Sequence, residues 1–199
     1  MTISTDELTS TRNGFLVEDI DDALVIRFNR PEIRNPLSSD VIVGLSKLLG
    51  QVETSSMSKV IFTGSGAAFA SGADLREIAN LTPYDVREFA ERGQSLMKRI
   101  EDLPITTVAA INGYCFGGGL DLALACKKRF ASHDTLFCHP GVGLGIITGW
   151  GGTQRLPRLV GEGPAMEMLL TASRLTAKEA MRIGLVDELA DDVLIAALN

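Results

Sequence analysis

Ile111-Asn112-Gly113-Tyr114-Cys115-Phe116-Gly117-Gly118-Gly119-Leu120-Asp121-Leu122-Ala123-Leu124-Ala125-Cys126 is the stretch from which the rest of the chain is read. The apolar run Val108 to Ile111 predicts a short buried strand. A glycine-rich turn follows, and Leu120, Leu122, Ala123, Leu124 and Ala125 continue as a helix. Three consecutive glycines at a helix start leave its first N–H groups uncovered by side chains. Those groups have no intrahelical partner and stand at the positive end of the helix dipole. They could receive negative charge developing on a ligand oxygen. Asp121, in the first turn, would place a carboxylate beside that oxygen. A donor for an oxyanion next to a group that moves a proton is a catalytic pairing. Glycine triplets also let a helix pack closely on a strand, and first-turn acids also complement the dipole. This stretch alone leaves both readings open.

Composition narrows the class. A chain of 199 residues suffices for one large domain with a substantial core. The hydrophobic fraction of 45% and charged fraction of 22% are those of an ordinary soluble protein. A net charge of −6 shows no excess of Lys and Arg, which argues against a general affinity for nucleic acid. Cys115, Cys126 and Cys138 have no paired spacing, so the expected compartment is reducing and cytoplasmic. Residues 1–13 are polar and lack the apolar core of a signal peptide. No apolar run reaches spanning length, so no membrane association is expected.

Working outward, residues 1–13 read as a mobile tail. Phe15 to Glu18 and Ala23 to Phe28 read as two strands joined across the acidic turn Asp19 to Asp22. Ser38 is placed to cap a helix carrying Val41, Leu45, Leu48, Leu49 and Val52. Lys59 to Thr63 is a strand. Thr82-Pro83-Tyr84-Asp85 starts a helix whose apolar face runs from Val86 and Phe89 to Leu103. Strands follow near Phe130 to Ser132 and at Thr135 to Cys138. Residues 141–152 are glycine-rich, and the remainder is helical, with a capping box at Thr176 to Glu179 and a helix stop at Gly184. Short strands alternating with helices make the fold class α/β.

Several common sites are missing. No phosphate loop occurs, and Ser71 lacks the leading glycine of a nucleophile elbow. Gly141 to Gly145 imitates a dinucleotide fingerprint without its helix or third-glycine spacing. His133, Cys138 and His139 fit no usual zinc arrangement, so no metal is expected. Ala67-Ala68-Phe69-Ala70-Ser71-Gly72-Ala73-Asp74-Leu75-Arg76, however, is a second loop of small residues that follows a strand and opens towards a helix. Two such loops after parallel strands would bring the N–H groups of Ala73 and Gly118 to one sheet edge, where they could converge on one oxygen.

With both loops in place, the chain resembles the crotonase superfamily, the enoyl-CoA hydratase/isomerase family. The matching segments are Asn29-Arg30-Pro31-Glu32-Ile33-Arg34-Asn35-Pro36-Leu37, Phe69 to Arg76, Ile111 to Cys126, and Leu144 through Leu189 with Gly151-Gly152-Thr153-Gln154-Arg155-Leu156-Pro157-Arg158-Leu159-Val160-Gly161. The resemblance implies a crotonase-like spiral of strand–strand–helix units over residues 14–199, with an acyl-CoA thioester as substrate and no other cofactor. It implies an oxyanion hole from the N–H groups of Ala73 and Gly118, with Asp121 as acid/base. It further implies that Arg76 contacts CoA phosphates, that the loop through Ala73, Asp74 and Leu75 runs along the nucleotide, and that His139, Gly141 and Trp150 adjoin the acyl group. For Arg34, phosphate contact and a solvated surface charge stand level. Homotrimers or dimers of trimers, and a role in fatty acid metabolism, are expected by the same resemblance.

The chain departs from the family in three places. Family hydratases use two glutamates, one holding the water and one delivering the proton. Asp121 stands at the first position, shorter by one bond, about 1.5 Å, and Gly141 stands at the second. One carboxylate suffices for a double-bond shift, or for hydrolysis or decarboxylation through an enolate. Alternatively His139 substitutes, since residues 139 and 141 share a face of an extended segment, or the chain binds acyl-CoA without chemistry. Thr148 and Trp150 replace the proline and small residue often found there, and the tryptophan would either reshape the acyl pocket or serve as core. Family members also continue past position 199 with helices that cover the pocket and join subunits, so a shortened carboxy-terminal region is expected.

Overall fold

In the computed structural model, which describes residues 14–199, the chain opens with an antiparallel hairpin of β1 (Phe15–Ile20) and β2 (Ala23–Phe28). The turn is tighter than expected, because both strands extend to flank Asp21-Asp22. Asp21 takes a left-handed φ of 56°, which aspartate tolerates. The tail expected over 1–13 lies outside the described residues. After β3 (Pro36–Leu37), α1 (Ser39–Val52) buries the predicted stripe of Val41, Leu45, Leu48, Leu49 and Val52. Ser38 is its N-cap residue, but its hydroxyl closes no cap bond; it accepts from Arg30 Nη2 at 2.7 Å instead.

Each later turn of the chain repeats one unit. β4 (Lys59–Gly64) is followed by β5 (Ala68–Ala70), β6 (Gly72–Ala73), α2 (Leu75–Ile78) and α3 (Asp85–Asp102). β7 (Thr106–Ile111) is followed by β8 (Tyr114–Phe116) and α4 (Gly118–Ala125). β9 (Lys128–Ala131) is followed by β10 (Leu136–Cys138) and, after a long loop, α5 (Gly152–Val160) and α6 (Glu162–Thr171). The first strand of each unit joins a sheet of order β1-β2-β4-β7-β9-β12, parallel from β2 onward, with β12 at Glu188–Leu189. The second joins a sheet of order β11-β10-β8-β5, where β11 (Leu175–Thr176) is the one antiparallel member. A third pairing joins β3 to β6 in parallel. This is the expected spiral of strand–strand–helix units. The capping box at Thr176 forms and begins α7 (Ala177–Arg182), and Asp192 caps α8 (Val193–Leu198) through the N–H groups of Leu194 and Ile195.

The main core packs Phe15, Phe28, Phe62, Phe69 and Phe137 against α1, α3 and α4. Within it, α4 is buried on every side from Gly119 to Ala125, as a helix apolar all round must be. Its single charged residue is Asp121. α3 differs from expectation at its start, where the backbone is helical only from Asp85 and the Thr82 N–H and hydroxyl both donate to the Asp85 carboxylate. Val86, Phe89 and Ala90, read as core-facing, border a cavity instead.

Candidate active site

The three parallel strands β5, β8 and β10 end at one edge of their sheet, the usual place for a site in a parallel α/β sheet. The register sets Cys138 beside Phe116 and Cys115 beside Ala70. The residues after each strand therefore meet: Gly72 and Ala73 after β5, Gly117 and Gly118 after β8, His139 and Gly141 after β10. The Gly117 N–H donates to Cys138 O at 2.9 Å and so ties two of these ends together. Asn35, buried in the segment before β3, donates to Ser65 O and Ala68 O and holds the third in place.

Gly117 turns the chain from β8 into α4 with φ 51° and ψ −120°, a conformation open in practice to glycine alone. The first intrahelical bond runs from the Asp121 N–H to Gly117 O, so the N–H groups of Gly118, Gly119 and Leu120 have no acceptor within the helix. Ala73 and Gly118 face the same small space. A β-carbon on Gly118 would lie 3.3 Å from the Ala73 nitrogen, and one on Gly72 would lie 3.0 Å from the Gly118 nitrogen.

That space opens into a cavity of about 330 Å³. Ala73, Leu75, Gly118, Asp121, His139, Gly141 and Trp150 all line it, so the structure gathers seven of the residues singled out from the sequence. Arg34, Asp74 and Arg76 are not on its wall. Asp74 is buried and caps α2 through the Arg76 N–H, and its carboxylate takes Arg76 Nη2 at 2.7 Å. The Arg76 side chain is 69% exposed beyond that clamp. Arg34 sits at φ 62°, exposed, with its guanidinium 5.2 Å from the centre of the Tyr114 ring. Leu75, Ile78, Leu81, Val86 and Phe89 form an apolar wall on one side, and Leu144, Ile146 and Ile147 form another.

Asp121 is fully buried. Its Oδ2 accepts from the Thr148 hydroxyl, while Oδ1 has no hydrogen-bond partner. Burial pushes the carboxyl up to about 6, and the Thr148 hydroxyl, the Trp150 N–H, the Arg155 charge and the Gly152 N–H each pull it back. His139 is equally enclosed, with Nε2 3.8 Å from Asp121 Oδ1 and neither ring nitrogen bonded. Burial holds its pKa down to about 4. At neutral pH the pair is thus a carboxylate, mostly ionised, beside an uncharged imidazole. A proton-accepting group with a raised pKa in an apolar cavity, next to paired main-chain donors, is equipped for general base catalysis on a carbonyl compound.

The enoyl-CoA hydratase/isomerase family model matches residues 20–197. The chain belongs to this family. It is an enzyme of hydratase/isomerase type, and its spiral is the crotonase fold. A short-chain-enoyl-CoA hydratase of Clostridium acetobutylicum is 39% identical over 181 residues, 90% of this chain and 69% of that protein. A crotonyl-CoA hydratase of Syntrophomonas wolfei is 40% identical over 177 residues, 88% of this chain and 68% of that protein. Among solved structures, the enoyl-CoA hydratase from Bacillus anthracis superposes with a TM-score of 0.86 at 37% identity, covering 92% of this chain and 71% of that one.

At Gly141, where the resemblance places a second glutamate, the structure leaves little room for a side chain. Pro140 to Leu144 is a 3-10 turn rather than the extended segment expected, although residues 139 and 141 still face one cavity. A β-carbon on Gly141 would lie 2.7 Å from Ile146 O, so an acidic side chain there requires the loop to move. Thr148, noted from sequence only as a departure, supplies the side-chain hydroxyl that bonds Asp121 Oδ2. Gly152 and Gly93 were missed. A β-carbon on Gly152 would land on Asp121 Oδ1, and one on Gly93 would land on the Trp150 indole. The available signal was Gly93 itself, since a glycine inside a helix is destabilising by about 1 kcal/mol unless close packing requires it.

Proposed function

We propose that this enzyme moves a single proton at the α-carbon of an acyl-CoA thioester through an enolate, and that its reaction is a double-bond shift rather than hydration. The N–H groups of Ala73 and Gly118 receive the thioester oxygen as negative charge develops. Removing one such donor in other enzymes costs about 3 kcal/mol of transition-state stabilisation. Asp121 Oδ1 takes the proton from C2, the C–H electron pair passes into the dienolate, and the same carboxylic acid returns the proton at C4. Arg34 and Arg76 lie outside the cavity, exposed, where CoA phosphates would pass. Coenzyme A, carried by the substrate, is the one cofactor this chemistry needs.

The observation that carries the reading is that, among the described residues, Asp121 is the sole acid or base on the cavity wall able to exchange a proton near neutral pH. Gly141 has no side chain, and His139, with its pKa near 4, holds almost no imidazolium to donate. Hydration needs a second proton-bearing group or a water held between two; a double-bond shift needs one.

The test compares 3-enoyl-CoA isomerisation with 2-enoyl-CoA hydration for the purified protein and for Asp121→Asn. Isomerisation should exceed hydration in the wild type. Asp121→Asn should lower isomerisation by 10²–10⁴-fold, the usual share of a general base, with the affinity for CoA unchanged. Isomerisation surviving in Asp121→Asn removes the carboxylate from the mechanism. Thioester binding with no turnover and no exchange of the α-proton identifies an acyl-CoA-binding subunit instead.

A further inference from the structure

We propose that Trp150 is a fixed plug that limits the acyl group to short chains. The inference rests on the acyl-thioester reading above and adds the residue that sets substrate length. Trp150 is 3% exposed, yet its ring borders the cavity. The indole bridges two helices at positions where both carry glycine. A β-carbon on Gly118, at the start of α4, would lie 2.5 Å from Cζ3, and one on Gly93, inside α3, would land on Nε1 and Cδ1. The six-membered edge of the indole therefore rests on the residue whose N–H is assigned to the thioester oxygen, and the five-membered edge reaches across to α3. Phe89 packs beside it with ring centres 5.6 Å apart.

The plug is anchored at both ends. Gln94 Nε2, on α3, donates to Gly149 O at 2.8 Å. Arg155 Nη1, on α5, donates to Trp150 O at 3.2 Å, and Arg155 Nη2 pairs with Glu101 on α3 at 2.7 Å. The neighbouring Ile146, whose N–H donates to Gly141 O within the same loop, and Ile147 have no such tie to α3 or α5 and stand exposed at 42% and 62%. A chain leaving the thioester carbon thus meets a rigid aromatic wall at once, while the gap between α3 and α4 behind it is filled by the indole. Replacing the ring by a smaller group opens that gap to the acyl tail.

The experiment measures binding of butyryl-, hexanoyl- and octanoyl-CoA by calorimetry, for wild type, Trp150→Phe and Trp150→Ala. These esters are saturated, so the measurement does not depend on turnover. The wild type should bind butyryl-CoA most tightly. Trp150→Ala should reverse the order, with octanoyl-CoA gaining and butyryl-CoA losing on the order of tenfold, the scale on which apolar pockets discriminate a few carbons. Trp150→Phe should fall between, and it carries the test alone if the alanine variant does not fold. An identical length order in all folded variants overturns the plug and leaves the thioester site standing. Failure of the wild type to bind any of the three overturns both.

Discussion

The first turn of α4 and the loop from Gly141 to Trp150 close on the same carboxylate, yet they are built in opposite ways. The α4 turn is main chain. Its donors are the N–H groups of Gly118 and its neighbours, its conformation is set by Gly117, and every residue from Gly119 onward is buried. The 141–150 loop is side chain and irregular backbone. Val142, Leu144, Ile146 and Ile147 are all more than 40% exposed, while Thr148 and Trp150 turn inward. The difference separates two tasks. Under the proposed function, main-chain donors aimed by a buried helix would serve any thioester and tolerate little change. In the proposed mechanism the loop sets what the carboxylate does next, because it supplies the partner of Oδ2, leaves Oδ1 without a partner, and occupies the space a side chain at position 141 would need.

The comparison can be broken most severely where the two regions touch. Gly152→Ala places a methyl group on Asp121 Oδ1, close to Thr148 Cγ2 and His139 Cε1 at 2.9 and 3.0 Å. Displacing the carboxylate by about 1 Å should lower turnover roughly 10²-fold, and thermal denaturation should show a loss of about 1–3 kcal/mol from overpacking. Unchanged kinetics in this variant would falsify the placement of Asp121 against α5.

A comparable change of opposite sign is expected from Asp121→Asn. The wild-type carboxyl titrates near 6 in the fold against 3.8 for the free group, so protonation favours the folded state. That advantage is complete below about 4 and is lost as the pH rises through 6. At pH 8 the ionised carboxylate therefore weakens the fold by roughly 3 kcal/mol, at 1.36 kcal/mol for each pH unit. Asp121→Asn should be the more stable protein at pH 8 by about that amount, with the gap closing by pH 4. Equal stability at both pH values would show that the carboxylate carries no burial penalty, and with it that its pKa is ordinary.

Thr148→Val sharpens the comparison on the loop side. The hydroxyl bonds the ionised carboxylate, so its loss raises the Asp121 pKa. Activity as a base requires the ionised form, so the acid limb of kcat/KM should move from about 6 to higher pH, with a several-fold loss of rate at pH 6. A limb that stays in place assigns the titration to another group. The smallest effect belongs to Gly143→Ala, at the exposed crest of the loop, where a β-carbon meets nothing within 4 Å. Stability and rate should both stay within about 0.5 kcal/mol of wild type, in contrast to Gly141→Ala, which meets Ile146 O.

Much of this molecule could be read before its fold was known. The strand from Val108 to Ile111, the helix from Gly118, the α1 stripe and the capping box at Thr176 follow from apolar period and cap chemistry, which act between residues close in sequence. Short strands escaped. Tyr114–Phe116 and Ala68–Ala70 read as glycine-rich or small-residue loops, because a three-residue strand has no period to detect and owes its existence to partners 22 to 46 positions away. The start of α3 misled for a related reason: Val86 and Phe89 have the spacing of core residues, and apolar spacing does not distinguish a core from an apolar cavity.

By itself the sequence determined the family, the longer strands and helices, and the two loops whose amides flank the site. Local propensity and the glycine pattern are properties of neighbouring residues, and they survive without a partner. Only the tertiary structure decided that Asp121 stands with one oxygen held by Thr148 and the other free, that the Gly141 position is closed by Ile146, and that Trp150 fills the gap between Gly93 and Gly118. Each of these depends on which distant backbone lies within about 4 Å of a side chain, and close packing sets that across the whole fold.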